Sequence, residues 1–259
     1  MRVQLEPCYL LHRRPFRDNS ELLDVFSVAH GRLGLVARGL SRRRRGGSLG
    51  AVLQPFRPLL LSFSGKGELL TLTGAESGGA LPPLHGDALL SAFYLNELLL
   101  RLLQRFEEQP AIFTAYGAAI GDLCDAANHE QERTVLEPAL RRFEFRLLEE
   151  LGYAVNLDVE ASRGTPIRED GHYALVPEYG LREIEGDVCG SASSFTGEQI
   201  MAIADGRFDG EHAPAAKKMA RALLQPQLGN APLRSRSMFE TARVQPSSDG
   251  GNHDVADIR

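Results

Sequence analysis

The sequence predicts an α+β chain, with a small five-stranded β-barrel at the N-terminus and an α-helical domain behind it that carries an irregular insert. Three observations predict it. The first 75 residues hold five short apolar runs punctuated by turns. The segment Gly78-Gly79-Ala80-Leu81-Pro82-Pro83 then breaks that pattern, because glycines free the chain and paired prolines forbid a helix. Beyond it, Leu, Phe and Tyr recur at helical spacing. The expected organisation is therefore a barrel over 1–80, a helical domain over 81–240 with its insert at 153–195, and a disordered tail over 241–259.

The five runs are Cys8-Tyr9-Leu10-Leu11, Leu22 to Val28, Leu33 to Ala37, Phe56 to Phe63 and Glu68 to Leu72. His30-Gly31, Arg45-Gly46-Gly47 and Gly65-Lys66-Gly67 mark turns between them. A five-stranded Greek-key barrel of this size is the OB-fold, whose strand face and loops hold oligonucleotides. An SH3-like barrel would space its strands similarly, so spacing alone leaves the topology open.

Helices are expected over Asp87 to Phe106, over Ala111 to Ala127 directly after Pro110, and over Pro138 to Leu151. In the third, Leu140, Phe143, Leu147 and Leu151 fall on one face, with Pro138 in the first turn and Gly152 ending it. Periodicity is lost over 153–195, where any strands are short. Helix returns at Thr196, whose spacing to Gln199 is that of a capping box, and again from Pro214 to Gln225, stopped by Pro226. The tail from Thr241 is polar and Gly- and Ser-containing.

Charge divides the chain as sharply as periodicity does. The net charge is −5, but residues 1–75 carry twelve basic against five acidic groups, about +7, and the remainder is about −12. A basic segment on an acidic body points to a polyanion at one end. An apolar content of 43% supplies a core and excludes global disorder. Cys8, Cys124 and Cys189 are too scattered for a disulfide framework and fit a reducing compartment. No apolar run reads as a signal peptide, and Leu89 to Leu103 contains Asn96, Glu97 and Arg101, so no membrane span is expected and the location expected is cytoplasmic.

Catalytic signals are missing. There is no GxxxxGK[ST] loop, no GxGxxG after a strand and no HExxH, and Gly46 to Gly50, in a basic glycine-rich loop, is not read as a nucleophile elbow. The seven histidines are scattered, so no enzyme chemistry and no cofactor are expected. A structural zinc site needs paired Cys or His ligands, and Cys189 has only His172 as a companion, so no metal is expected either.

What remains is arginine. Arg42, Arg43, Arg44 and Arg45 form a run, preceded by Arg32 and Arg38 and followed by glycines, as a loop that neutralises several phosphates would be. Arg13, Arg14 and Arg17 lie between the first two strands, and Arg57 and Lys66 lie near later turns. Tyr9, Phe16, Phe56 and Phe63 are interleaved, either as stacking platforms for bases or as fillers of the barrel core. A second basic feature is Leu140-Arg141-Arg142-Phe143 on the third helix. Here an exposed ion pair between Glu137 and Arg141 is the plainer account, and a cation beside an apolar groove is the other.

Several strings resemble the RecO family of bacterial recombination mediators. They include Tyr9-Leu10-Leu11-His12 with Arg14-Pro15, Glu21 to Phe26, Gly31 to Gly39, Leu53-Gln54-Pro55-Phe56, Phe93 to Leu98, Glu137 to Glu144 and Leu233-Arg234-Ser235-Arg236, in family order from about residue 8 to 239. The resemblance implies an N-terminal OB-fold and a helical domain, and the single Cys189 places the chain in the zinc-free branch. It also implies a function: binding single- and double-stranded DNA, annealing complementary strands, and helping to load RecA, together with RecR and often RecF, onto DNA coated by single-stranded-DNA-binding protein. By the same resemblance the helical domain receives the acidic, Phe-ended tail of that coat protein. This raises Leu140, Arg141, Arg142 and Phe143 to candidates, with the outward-facing arginine left open. DNA contacts are expected from Arg14, Arg32, Arg38, Arg42 to Arg45, Arg57 and Lys66, at the nucleoid. An RNA-binding OB module of translation or RNA processing is the rival that composition does not separate. An enzyme built from His172 and nearby carboxylates is a distant third.

Overall fold

The computed structural model describes residues 1–17, 20–39, 49–127, 132–184, 193–235 and 237–239. The Arg42 to Arg45 run, Cys189 and the expected disordered tail lie outside them. Five strands close into a barrel in the order β1-β2-β3-β5-β4: β1 (Arg2–Phe16), β2 (Ser20–Ser27), β3 (Gly31–Arg38), β4 (Pro58–Ser64) and β5 (Leu69–Ser77), with a short helix α1 (Leu49–Val52) before β4. The alternation read from sequence sets the inner face: Leu23, Val25, Leu33, Leu35, Leu59, Leu61, Phe63 and Leu70 fill one closed core. Leu35 pairs with Leu70 where β3 and β5 run parallel, the step that closes the barrel. This is the OB-type barrel expected, and the SH3-like alternative drops out.

β1 is longer than the apolar run that announces it. Its polar first residues pair with β4, from Arg2 opposite Ser64 to Tyr9 opposite Pro58, and its later half pairs with β2, with a bulge between Leu10 and His12. At its centre both faces are buried. Cys8 and Leu10 enter the barrel core, while Tyr9 and Leu11 join the core of the helical part.

That second core is formed by α2 (Gly86–Leu102), α3 (Pro110–Ala126), α4 (Glu132–Glu150), α5 (Gly197–Ala204) and α6 (Ala213–Leu228). Two of these extend further than the sequence reading. α4 begins six residues earlier than expected, so Pro138 lies inside it, and the apolar face carries straight through the proline from Leu136 to Leu140, Phe143 and Leu147. α6 likewise runs through Pro226 to Leu228. The expected caps form. Gly152 takes a left-handed φ of 76°, with its N–H on the Glu149 carbonyl and the Tyr153 N–H on that of Leu148, which is a Schellman closure. Thr196 and Gln199 make a complete capping box.

The insert is more ordered than its composition suggests. β6 (His172–Val176), β7 (Gly180–Glu183) and β8 (Ser194–Thr196) form a three-stranded antiparallel sheet in the order β7-β6-β8. Tyr173, Leu175, Leu181 and Phe195 pack it onto the helical core. No helix among the described residues is long and apolar enough to cross a membrane.

The barrel and helices are joined by specific contacts rather than by the linker alone. The Tyr9 ring lies 5.1 Å from that of Phe113 and 4.9 Å from that of Tyr116, and Phe26 also meets Phe113. Asn96 is buried between the two parts. Its amide donates to the Leu11 carbonyl at 2.8 Å, and its oxygen accepts the Tyr116 hydroxyl at 2.6 Å. α2 stops at Leu102, short of the expected Phe106, because the following residues turn extended and lie along β3. There the Phe106 N–H donates to the Arg32 carbonyl, and Arg105 pairs with Arg32 in a parallel bridge.

Candidate nucleic-acid interface and a charged groove

The outer surface of β1, β2 and β3 is sorted by register into rows. Phe16 stands opposite Ser20, and Ser20 opposite Arg38. Arg14, Leu22 and Val36 form the next row, and His12, Asp24 and Gly34 the next. Residues directly opposite in antiparallel strands share a face. Arg14 and Arg38 are exposed there, two strands apart, and Phe16 is half-buried with the Arg17 guanidinium 5.2 Å from its ring centre. In sequence, Arg38 is followed four residues on by the Arg42 to Arg45 run. In barrels of this order the β2–β3 face and the β1–β2 and β4–β5 loops are where oligonucleotides lie. Exposed Lys66 occupies the β4–β5 loop.

Two expected contacts sit elsewhere. Arg32 is half-buried, and its guanidinium donates to the Leu100 carbonyl at the C-terminal end of α2. Burial and the neighbouring Arg105 charge lower its pKa against the pull of Asp24. Its charge thus serves the helix end and the seam between the two parts, not open solvent. Exposed Arg57 precedes β4 close to α3. It draws the Cys124 thiol down, while burial and Asp125 push that thiol up more strongly. Of the four aromatics, Phe63 fills the barrel and Tyr9 and Phe56 are buried in the helical core, with Phe56 against Phe93, so only Phe16 remains on the face beside Arg14 and Arg38.

The second basic feature resolves into three directions, since successive helical residues are turned by about 100°. Leu140 and Arg141 line a groove of about 740 Å³ between α2, α4, α6 and the segment after α6. Phe143 points into the core against Tyr116. Arg142 leaves on another side and pairs with Asp122 at 2.8 Å. The four residues therefore do not form one site.

Nor is Arg141 the exposed cation of the sequence reading. Its side chain is only 6% exposed, bound to Glu144 at 2.6 Å with Glu137 at 3.9 Å. Glu144 also accepts the Tyr94 hydroxyl at 2.6 Å. Burial raises the Glu144 pKa, and the Arg141 charge and the Tyr94 bond oppose that rise. Arg141 Nε and Glu144 Oε2 find no hydrogen-bond partner among the described residues.

The groove's accessible cations come from α6, which sequence reasoning missed. Lys217 reaches Glu137 at 2.6 Å, and exposed Arg221, with no carboxylate partner among the described residues, follows four residues on. Leu224 and Leu228 continue the same face. The spacing 217, 221, 224, 228 is one helical stripe and was the available signal.

The far wall is the segment after α6, clamped by α2. Glu97 accepts the Arg234 and Ser235 amides at 2.9 Å and the Ser235 hydroxyl at 2.8 Å, and Arg101 donates to the Ala231 and Pro232 carbonyls at 2.7 Å. Burial pushes the Glu97 carboxyl up, but these bonds and the Arg101 charge outweigh it and hold the carboxyl below its ordinary range. No group of three or more potential metal ligands occurs among the described residues.

The structure thus pairs a barrel face bearing exposed cations with a charged groove on a helical body. The family comparisons agree in extent with the two parts: residues 1–79 match the profile "Recombination protein O N terminal", and residues 84–237 match "Recombination protein O C terminal". Proteins named "DNA repair protein RecO" from Nitrosococcus oceani, Photobacterium profundum and Methylococcus capsulatus are 42%, 40% and 41% identical, covering 94%, 91% and 93% of this chain and 95% of each relative. The chain belongs to the RecO family of DNA repair proteins.

Proposed function

We propose that this chain is a recombination mediator. It binds single- and double-stranded DNA on the outer face of its barrel and anneals complementary strands. With RecR, and often RecF, it helps to load RecA onto DNA coated by single-stranded-DNA-binding protein. It works in the cytoplasm at the nucleoid, by binding and not by bond chemistry. The observation that carries the reading is the end of the barrel face on which Arg14 and Arg38 stand exposed with half-buried Phe16; in sequence the Arg42 to Arg45 run follows shortly after Arg38. Phosphate contacts of this kind carry no base information, which suits a protein that must act on any sequence. Neutralising two strands at once lowers the repulsion that opposes annealing.

The groove is the surface for the acidic, Phe-ended tail of the coat protein. Leu140, Leu224, Leu228 and Leu233 offer it an apolar seat. Lys217 and Arg221 meet its carboxylates, and Arg141 supports the floor from behind Glu144.

Fluorescence anisotropy with labelled single-stranded DNA tests the first part. Binding should weaken steeply with salt, and Arg14→Ala with Arg38→Ala should lower the slope. A salt-independent affinity, or one that both changes leave untouched, removes the barrel face from the mechanism. For the groove, Arg221→Ala should weaken binding of an acidic Phe-ended peptide and leave DNA binding intact.

A further inference from the structure

We infer that Arg105, a residue of the helical part, is a phosphate contact on the DNA-binding face, and that Asp24 is the counter-charge which the nucleic acid displaces. The inference rests on the DNA reading of the barrel face above and extends that face across the seam.

Arg105 follows α2 in the extended stretch that lies along β3. Its guanidinium does not stay with the helices. One nitrogen binds Asp24 at 2.7 Å, and the other covers Gly34, where a Cβ would come within 2.8 Å of it. Leu33 and Leu35 point into the barrel, so Gly34 between them points out. Asp24 stands opposite Gly34 in the register, so the guanidinium lies on the outer face one row below Arg14. Beside it, Leu69 of β5 is 45% exposed and pairs with Gly34, an apolar neighbour for a base or sugar.

The position is held firmly. Gly31 has a left-handed φ of 64°, and a Cβ there would come within 1.8 Å of the Glu107 carbonyl oxygen, so the stretch is seated against β3 with no gap. The Arg105 side chain remains 35% exposed, while Asp24 is only 13% exposed. The cation is thus the outer member of the pair. A phosphate arriving along the Arg14 and Arg38 rows reaches it first, and Asp24 acts as a built-in competitor. In the free protein that pair neutralises the face locally, and the exchange of Asp24 for phosphate occurs only on binding.

A purely structural ion pair and a phosphate contact predict different signs. The test is anisotropy of the full chain with a labelled single-stranded oligonucleotide over a salt series, with melting temperature recorded for each variant. Arg105→Ala should weaken binding several-fold and flatten the log–log salt slope by about 0.7, the value of one single-strand phosphate. Arg105→Lys should keep the slope. Asp24→Asn, which removes the competitor, should tighten binding. Loss of affinity in both Arg105→Ala and Asp24→Asn with matching falls in melting temperature would overturn the inference in favour of a structural pair. An Arg105→Ala affinity equal to wild type, while Arg14→Ala and Arg38→Ala weaken binding, would overturn it and leave the barrel reading standing. Wild-type affinity in all three arginine variants would sink both.

Discussion

The barrel face and the helical groove both carry arginines, and the two treat them differently. On the barrel, Arg14 and Arg38 project from strand rows whose nearest neighbours are uncharged, so their fields reach solvent. In the groove, Arg141 is enclosed with Glu144 and Glu137, Lys217 also answers Glu137, and of its cations only Arg221 lacks a described carboxylate partner. The lining carries three cations, Arg141, Lys217 and Arg221, against three carboxylates, Asp87, Glu137 and Glu144. An open row of cations gives strong, salt-sensitive attraction to any polyanion. A balanced groove gives weak long-range attraction and leaves recognition to shape and apolar contact. Arginine count is therefore a poor guide to binding, because the partner of each guanidinium decides whether its charge is available.

The largest expected effect concerns the seam that holds the two surfaces in one body. Gly31→Ala places a methyl group on the Glu107 carbonyl at a left-handed backbone position, so the stretch carrying Arg105 must lift from β3. Steric overlap and backbone strain act together, and the change should destabilise by about 4 kcal/mol or more in a denaturant melt. A near-neutral result would show that the two surfaces are not rigidly coupled.

Next in size is Arg141→Ala. It leaves Glu144, 2% exposed, without its cation, which typically costs about 3 kcal/mol. Because the carboxyl is already pushed up by burial, the penalty should shrink as the solution is acidified. A carboxyl whose folded pKa is raised loses stability as pH rises from its unfolded value through its folded one. Melts at neutral and mildly acid pH check this. Equal penalties at both would mean that Glu144 does not titrate in the folded variant.

These two residues also show how far the sequence reaches. Strand alternation made Leu23, Val25, Leu33 and Leu35 legible as barrel core, and caps at Gly152 and Thr196 were legible from local rules alone. β1 was underestimated because its polar start pairs along β4, and such pairing leaves no apolar signature. The insert's strands are three to five residues long, too short for alternation to stand out from composition. Pro138 misled because local propensity places a proline at a helix start, while the apolar face around it continues unbroken. The arginines at 32, 105 and 141 could not be placed, since their partners, Leu100, Asp24 and Glu144, are assigned by the fold and two of the three are far away in sequence.

A smaller effect separates the groove's wall from its floor. Glu97 is held below its ordinary range by the Arg234 and Ser235 amides, the Ser235 hydroxyl and Arg101. A depressed folded pKa means that its contribution is fully present above the unfolded carboxylate value and is lost as pH falls through the folded one. Glu97→Gln should cost about 2 kcal/mol near neutrality, in line with hydrogen bonds to a charged group, and should flatten the acid limb of the stability profile. Hydrogen exchange at the Arg234 and Ser235 amides should rise in the variant. Unchanged exchange there would detach the clamp from the carboxylate.

The smallest effect belongs to Arg142, the residue adjacent to Arg141. It is 54% exposed and paired with Asp122, itself 40% exposed, on a side of α4 away from the groove. Exposed pairs of this kind contribute about 0.5 kcal/mol or less. Arg142→Ala should therefore leave stability, DNA affinity and acidic-peptide affinity close to wild type, where Arg141→Ala lowers stability and Arg221→Ala lowers peptide affinity. Two neighbouring arginines of one string would then differ by about 2 kcal/mol or more in consequence, because one lies under a groove and the other in water. A peptide affinity that falls with Arg142→Ala at unchanged melting temperature would move the partner surface to the opposite side of α4, where Phe145 stacks on Phe208 at 5.3 Å beside Arg142 and Arg146.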